Sequence, residues 1–233
     1  MASLSPEQLA ELDKLNDEEK YDEIYNKLKR SDGNYKDMGY EELWRLGRVL
    51  RFLILTEGQN DKNRRLAWIK EGLDAMKIAA EKFPNECLSN TWYGILLSLD
   101  GEEHDTKTKI KQAYIIKEYF DKGYAADPKD FVTLQSLGTW CFEVASLGSI
   151  ERKIASFLFA TPPVSTFEDA LKYFLEANEV KPSYPLTVCR IAQCYWKLGN
   201  KDEAKKFAEE ALKLKATDGD IIKAQKECRH YVK

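Results

Sequence analysis

The chain has 233 residues, of which 43% are hydrophobic and 32% charged, a balance that excludes disorder and fits one or two compact domains or one extended array. The net charge of −3 argues neither for nor against a polyanion partner, but residues 1–42 hold 12 acidic and 6 basic side chains while the remainder carries 30 basic and 27 acidic. The longest strongly apolar run, FLIL at 52–55, is far too short to cross a bilayer.

The first twenty residues, MASLSPEQLAELDKLNDEEK, lack the basic flank and apolar core of a leader or anchor. SPEQ reads as a cap, a first-turn proline and a capping partner, so helices are expected near 6–15 and 18–30. Together they make 1–42 an acidic helical cap over the apolar side of the first hairpin. Helices near 40–57 and 64–82 come next; Arg45, Arg48 and Arg51 share one face of the first, with little acidic relief nearby in sequence. Further helices are expected near 87–99, 106–125, 131–146, 150–160, 166–180, 185–197 and 201–213. A last one near 219–231 forms a C-terminal cap within 217–233. No segment alternates as a strand, so the class is all-α.

One stretch, FLFATPPVSTFEDALKY at 157–173, stops a helix hard and restarts another. Pro162 and Pro163 remove two backbone donors and restrict the residues before them, ending the preceding helix near Phe159 or Ala160. Ser165, with Glu168 three residues on, supplies a capping box for the restart.

An internal repeat explains the rest. Pro84, Pro128 and Pro182 end three similar helices. Twelve residues before them stand Gly72, Ile116 and Ala170; eight before, Met76, Phe120 and Phe174; five before, Ala79, Gly123 and Ala177. Ten residues after them come Gly94, Gly138 and Ala192. A small residue at the centre of a helix lets a neighbour approach closely. The helix-proline-helix joint has fixed length, whereas the step from each first helix to its second varies: 25 residues from Gly47 to Gly72, 22 from Gly94 to Ile116, 32 from Gly138 to Ala170 and 12 from Ala192 to Ala204. Insertions confined to one kind of turn mark a solenoid, whose other joint is packed. The spacing describes a tetratricopeptide-like array of about four helical hairpins over 43–216, with unequal insertions and extra capping helices. The double proline is a corner inside the longest insertion.

Chemistry finds little footing. His104 and His230 are far apart, no HExxH or CxxC occurs, and the five cysteines read as buried free thiols. No phosphate-binding glycine loop is present, and ATDGD at 216–220 has too few oxygen ligands for calcium. The chain is therefore read as a non-catalytic binding protein without a cofactor or metal. Basic clusters suggest an acidic partner: Lys107, Lys109 and Lys111 in one insertion, Arg152 and Lys153 in another, and Lys197, Lys201, Lys205 and Lys206 near the end. Nucleic acid is disfavoured, since no reading helix or aromatic platform stands out. Trp44, Trp92, Trp140 and Trp196 fall in first helices of hairpins and read mainly as packing residues, with one or two available to anchor a peptide.

Three strings, NTWYGILLS (90–98), QAYIIKEYFDKGYAADPKD (112–130) and the segment 138–182 containing LFATPP, resemble the regulators of microtubule dynamics. The resemblance extends over roughly residues 40–215, and LFATPP followed by a capped helix is its most specific part. It implies a cytoplasmic protein of the cytoskeleton, associated with microtubules or tubulin and with other spindle proteins, at the spindle and its poles, that supports chromosome segregation. Some relatives carry an N-terminal membrane segment; the acidic start here departs from them, favouring a soluble form with no membrane partner. The resemblance supplies no catalytic residue. Tubulin is acidic, and Lys107, Lys109, Lys111, Arg152 and Lys153 are the candidate stripe for it. The alternative is a general scaffold that holds a partner peptide on its concave wall and reaches microtubules only indirectly.

Overall fold

The computed structural model describes residues 4–158, 163–216 and 219–232. Among them every regular element is helical: α1 (Pro6–Asp17), α2 (Tyr21–Leu28), α3 (Tyr40–Leu55), α4 (Lys62–Lys82), α5 (Cys87–Glu102), α6 (Thr106–Ala126), α7 (Phe131–Ala145), α8 (Ser149–Leu158), α9 (Phe167–Val180), α10 (Pro185–Lys197), α11 (Lys201–Ala211) and α12 (Gly219–Tyr231), with one short 3-10 turn at Glu57–Gln59.

The packing repeats one rule. Four hairpins form from α3 with α4, α5 with α6, α7 with α9, and α10 with α11. Each second helix also packs on the next first helix, and successive first helices touch side by side. The ends obey the same rule: α1 and α2 pack on each other and on α3, while α12 packs on α10 and α11. This is a helical-hairpin solenoid with capping helices, as the proline spacing predicts. Its cores run end to end. Leu12, Leu15, Ile24 and Leu28 of the N-terminal helices join Leu43, Leu46, Leu50 and Ile54 of α3, and Ile221, Ala224 and Cys228 of α12 join Val188, Cys189 and Ala192 of α10.

The repeated small residues receive the repeated large ones. A methyl group added at Gly47 would meet the Met76 sulfur, one at Gly94 would stand 2.5 Å from the Phe120 ring, and one at Gly138 would stand 2.7 Å from the Phe174 ring. In each of these hairpins the side chain eight residues before the proline thus lies over the small residue of the first helix. The fourth hairpin sets alanine against alanine: Ala192 shares its core with Ala208, the residue in register with Phe174. Size at one position is matched to space at the other, as close packing demands.

Local signals set the helix ends. The Ser5 hydroxyl accepts from the Gln8 N–H while the Gln8 side chain accepts from the Ser5 N–H, the expected capping box with Pro6 in the first turn. The restart after the double proline is shifted by one residue from the sequence expectation. Thr166, not Ser165, is the cap, and Asp169, not Glu168, completes the box. The helix begins at Phe167, so only Thr166 stands three residues before an N–H with a carboxylate that reaches back. Pro163 lies in the segment before that cap; Pro162, with the helix end expected at Phe159 or Ala160, falls outside the described residues.

Candidate binding surfaces

The first helices α3, α5, α7, α10 and α12 form one wall. Arg51 Nη2 of α3 lies 3.5 Å from Asp220 Oδ2 of α12, although 169 residues separate them. A contact between the first and last members of a row requires the row to curve, so this wall is concave. Beneath its surface, the same helices hold buried N–H groups without an acceptor among the described residues: Arg48 Nε on α3, Trp92 Nε1 on α5, Gln135 Nε2 on α7 and Arg190 Nε on α10. Trp92 is 4% exposed, and a buried donor left unpaired is costly.

The arginines of α3 are not the unrelieved basic face expected from their neighbours in sequence. Arg45 Nη2 donates to Asp13 Oδ2 at 2.6 Å and its Nη1 to Glu41, while Arg48 Nη2 donates to Asp13 Oδ1 at 2.9 Å. Glu41 is local, four residues before Arg45 on α3; the other acids come from α1, which crosses α3, and from α12, and local sequence does not show helices that cross. Burial opposes ionisation of Asp13, but hydrogen bonds from Arg45 and Arg48 outweigh it and hold the carboxyl below its ordinary range.

The two insertions meet. Helix α8 packs on α6, which brings Lys153 and Arg152 onto a helix adjoining the one that carries Lys107, Lys109 and Lys111. All five are exposed. They do not form one line: Lys107 and Lys111 are one turn apart on α6, Lys109 lies between them on another face, and Arg152 is occupied. Its Nε donates to the Leu147 carbonyl at 3.1 Å and its Nη2 to that of Ala145 at 3.2 Å, closing the end of α7. The four lysines make no ion pair among the described residues.

Beside this edge, α6, α7, α9 and Pro163–Ser165 enclose an open cleft of about 610 Å³. Lys117 sits over the Trp140 ring at 5.5 Å and donates to Asp121 at 2.6 Å, so the two charges cancel, and the Trp140 N–H donates to the Ala113 carbonyl at 2.9 Å. Cys141 lines the cleft, but burial pushes its thiol above the ordinary range and keeps it protonated. Burial acts likewise on Cys87, pushed up to about 11, and Cys194, pushed up to about 12. All five cysteines are free. His104 Nε2 faces Asp100 at 3.2 Å at the end of α5. Among the described residues no three potential ligands converge on a metal position, and no helix is long and apolar enough to cross a membrane.

Trp92 and Trp68 are buried, Trp44 and Trp140 half-buried, and Trp196 exposed, stacked on Tyr231 at 4.7 Å with Lys201 over its ring. Sequence reading singled out neither the Trp196–Tyr231 shelf nor the outer face of α12. There Lys223, Lys226, Arg229 and His230 are exposed, with Ile222 60% exposed beside them. The signal was present as cations three residues apart.

Residues 8–233 match the family model described as regulator of microtubule dynamics protein 1-3. The chain is 39% identical to regulator of microtubule dynamics protein 1 of Bos taurus over 162 residues, 69% of this chain and 51% of that protein. It is 31% identical to regulator of microtubule dynamics protein 3 of Xenopus laevis over 175 residues, 75% of this chain and 37% of that protein. The aligned part thus spans about half or less of these relatives. Among solved structures, a tetratricopeptide-repeat protein of Thermus thermophilus superposes with a TM-score of 0.63 at 13% identity, covering 95% of this chain and 97% of that one; the fold is shared.

Proposed function

Since the chain belongs to the regulator of microtubule dynamics family, we propose that it is a non-catalytic microtubule-associated protein that acts in the cytoplasm on the spindle and its poles, supporting chromosome segregation. One structural observation supports a direct contact. Two separate insertions in the array place their unpaired cations on adjoining exposed helices, Lys107, Lys109 and Lys111 on α6 and Lys153 on α8. Acidic tubulin is attracted to such an edge with a strength that salt screens. Arg152 contributes charge there, but its guanidinium first secures the end of α7. Binding of this kind stabilises a state of the polymer by contact alone.

Co-sedimentation of purified protein with assembled microtubules over a salt series tests the reading. The bound fraction falls as salt rises, and K107E/K109E/K111E/K153E lowers it at every salt concentration; Arg152 is left intact so that the corner stays folded. Undiminished sedimentation of that variant overturns the assignment.

A second reading has its own support. The row of first helices, curved enough for Arg51 of α3 to meet Asp220 of α12, offers a concave wall along which an extended partner peptide can lie. The protein would then be a scaffold that reaches microtubules through that partner. Sedimentation with microtubules in cell extract but not with pure polymer selects this reading.

A further inference from the structure

We propose that the outward face of α12 is a docking site for an acidic polypeptide segment, separate from the α6–α8 edge. The inference does not rest on microtubule binding.

Several exposed lysines of this chain pair with acids one turn away: Lys70 with Asp74, Lys117 with Asp121 and Lys122 with Glu118. Those of α12, like those of the α6–α8 edge, do not. Lys223, Lys226, Arg229 and His230 follow one another at spacings that put them on one exposed face. Their side chains make no ion pair or hydrogen bond among the described residues.

Acids are at hand in the sequence but are turned elsewhere. Glu227 stands four residues after Lys223, the spacing that pairs in the other helices, yet its Oε2 accepts from Gln193 Nε2 of α10 at 2.8 Å. Asp220 stands three residues before Lys223 and faces Arg51 instead. Like charges one turn apart weaken a helix. Here the opposite face, Ile221, Ala224 and Cys228, holds the helix on the array and leaves the cations for solvent or a partner.

The neighbourhood narrows the partner's chemistry. The stripe begins beside exposed Ile222 and ends at the Trp196–Tyr231 stack, where Lys201 adds another cation. Lys223 to His230 spans about 10 Å of helix, the length of two turns of a carboxylate-bearing helix or of about three extended residues. Apolar contact at both ends suits side chains, not a phosphate backbone. Ile222 at one end and the Trp196 edge at the other are too little apolar area for a helix that lies in a membrane interface.

The test measures fluorescence anisotropy of a labelled decaglutamate peptide against the full chain, with a ten-nucleotide single-stranded DNA as a second probe. The peptide binds at 50 mM salt and weakens at least tenfold by 200 mM. K223E/K226E/R229E lowers its affinity at least tenfold, and the milder K223Q/K226Q/R229Q lowers it by a smaller factor, with circular dichroism unchanged in both. K107E/K109E/K111E, whose basic cluster lies elsewhere, changes it less than twofold. Unchanged peptide affinity in the α12 variants overturns the proposal. So does an equal loss from the α6 variant, which would mean diffuse charge attraction. Tighter binding of the DNA with the same residue dependence would assign the face to nucleic acid and equally refute it. Finally, salt-sensitive self-association lost in the α12 variants, with no peptide binding, would make a second copy the occupant and refute the proposal as stated.

Discussion

Gly138→Ala probes the rule that organises the array. A methyl group at this position would lie 2.7 Å from two carbons of the Phe174 ring and 3.0 Å from a third. Phe174 is fully buried between α7 and α9, so the ring has nowhere to retreat without displacing Cys141, Phe142 or Ile191. Overpacking of this kind costs about 1–3 kcal/mol. The substitution also gains about 1 kcal/mol of helix propensity, because alanine replaces glycine inside α7. The expected net loss is about 0–2 kcal/mol, read from urea unfolding followed by circular dichroism. A double-mutant cycle isolates the packing term. Phe174→Ala alone costs about 3–5 kcal/mol. In the G138A background it costs about 1–2 kcal/mol less, because removing the ring also relieves the clash and the pair becomes the alanine–alanine arrangement found between α10 and α11. If G138A is more stable than the parent by the full propensity gain and the cycle shows no coupling, the ring does not need the glycine and the small-for-large account of the hairpins is wrong.

Thr166→Ala removes the cap of α9 and lowers stability by about 1 kcal/mol, whereas Ser165→Ala changes it by a few tenths; thermal melts of the two variants distinguish the observed cap from its neighbour. Asp13→Ala releases the guanidinium groups of Arg45 and Arg48 and costs about 1–2 kcal/mol at neutral pH, discounted because the carboxylate is partly in solvent. The Asp13 carboxyl sits below its ordinary value in the folded chain, so its contribution is present above the unfolded value near 4 and disappears as pH falls through the folded one. The acid limb of a stability–pH profile therefore flattens in Asp13→Asn. Tyr25 donates to Glu71 Oε2 at 2.7 Å and Tyr35 donates to its other oxygen, so Glu71→Ala orphans two hydroxyls and costs about 1–3 kcal/mol. Burial and then that carboxylate push Tyr25 up to about 12 and Tyr35 upward as well. Their contribution is complete below pH 10 and declines as pH rises through the folded values; ultraviolet titration against Tyr25→Phe shows a late-ionising phenol that the E71A variant shifts earlier.

Helix positions were legible because prolines, capping pairs and a 3.6-residue rhythm are local signals. The second helix of each hairpin was legible as well, since Gly94 and Phe120, or Gly138 and Phe174, announce their sizes even across an insertion. What sequence does not encode locally is which charged side chains meet where helices cross. Arg48 and Arg51 look unrelieved in sequence because Asp13 and Asp220 come from the two ends of the chain, while Arg45 adds to Asp13 a local partner, Glu41, four residues before it. The reverse holds on α12: Asp220 and Glu227 look like partners for Lys223, and only the fold shows them facing Arg51 and Gln193. Reading charge clusters from composition thus overstated one basic surface and hid another. The shift from Ser165 to Thr166 has a different origin, because adjacent hydroxyls offer two possible starts and one residue of register decides between them.

The confinement of extra length to one kind of turn has a cause in how first helices end. Each leaves its last carbonyls without helical partners. The shortest turn, between α10 and α11, closes them with backbone alone: Gly199 adopts φ +81°, its N–H donates to the Trp196 carbonyl, and the Asn200 N–H donates to that of Tyr195, a left-handed glycine stop. Two longer turns instead recruit an arginine from the inserted chain or the helix beyond it. Arg65 donates to the Ile54 carbonyl at the end of α3 while holding Glu102, the last residue of α5, and Glu103 just after it, and Arg152 donates to the carbonyl of Ala145, the last residue of α7, and to that of Leu147 just beyond. A side chain that reaches back frees the backbone from turning at once, so residues can be added beyond it while the helix stays capped. The opposite joint has no such freedom. There a second helix must end and the next first helix begin in contact with its predecessor, and Pro84, Pro128 and Pro182 fix the stop. Inserted chain therefore emerges only at the turn from first to second helix, which is why α8 of one insertion lies on α6, the helix that follows the other.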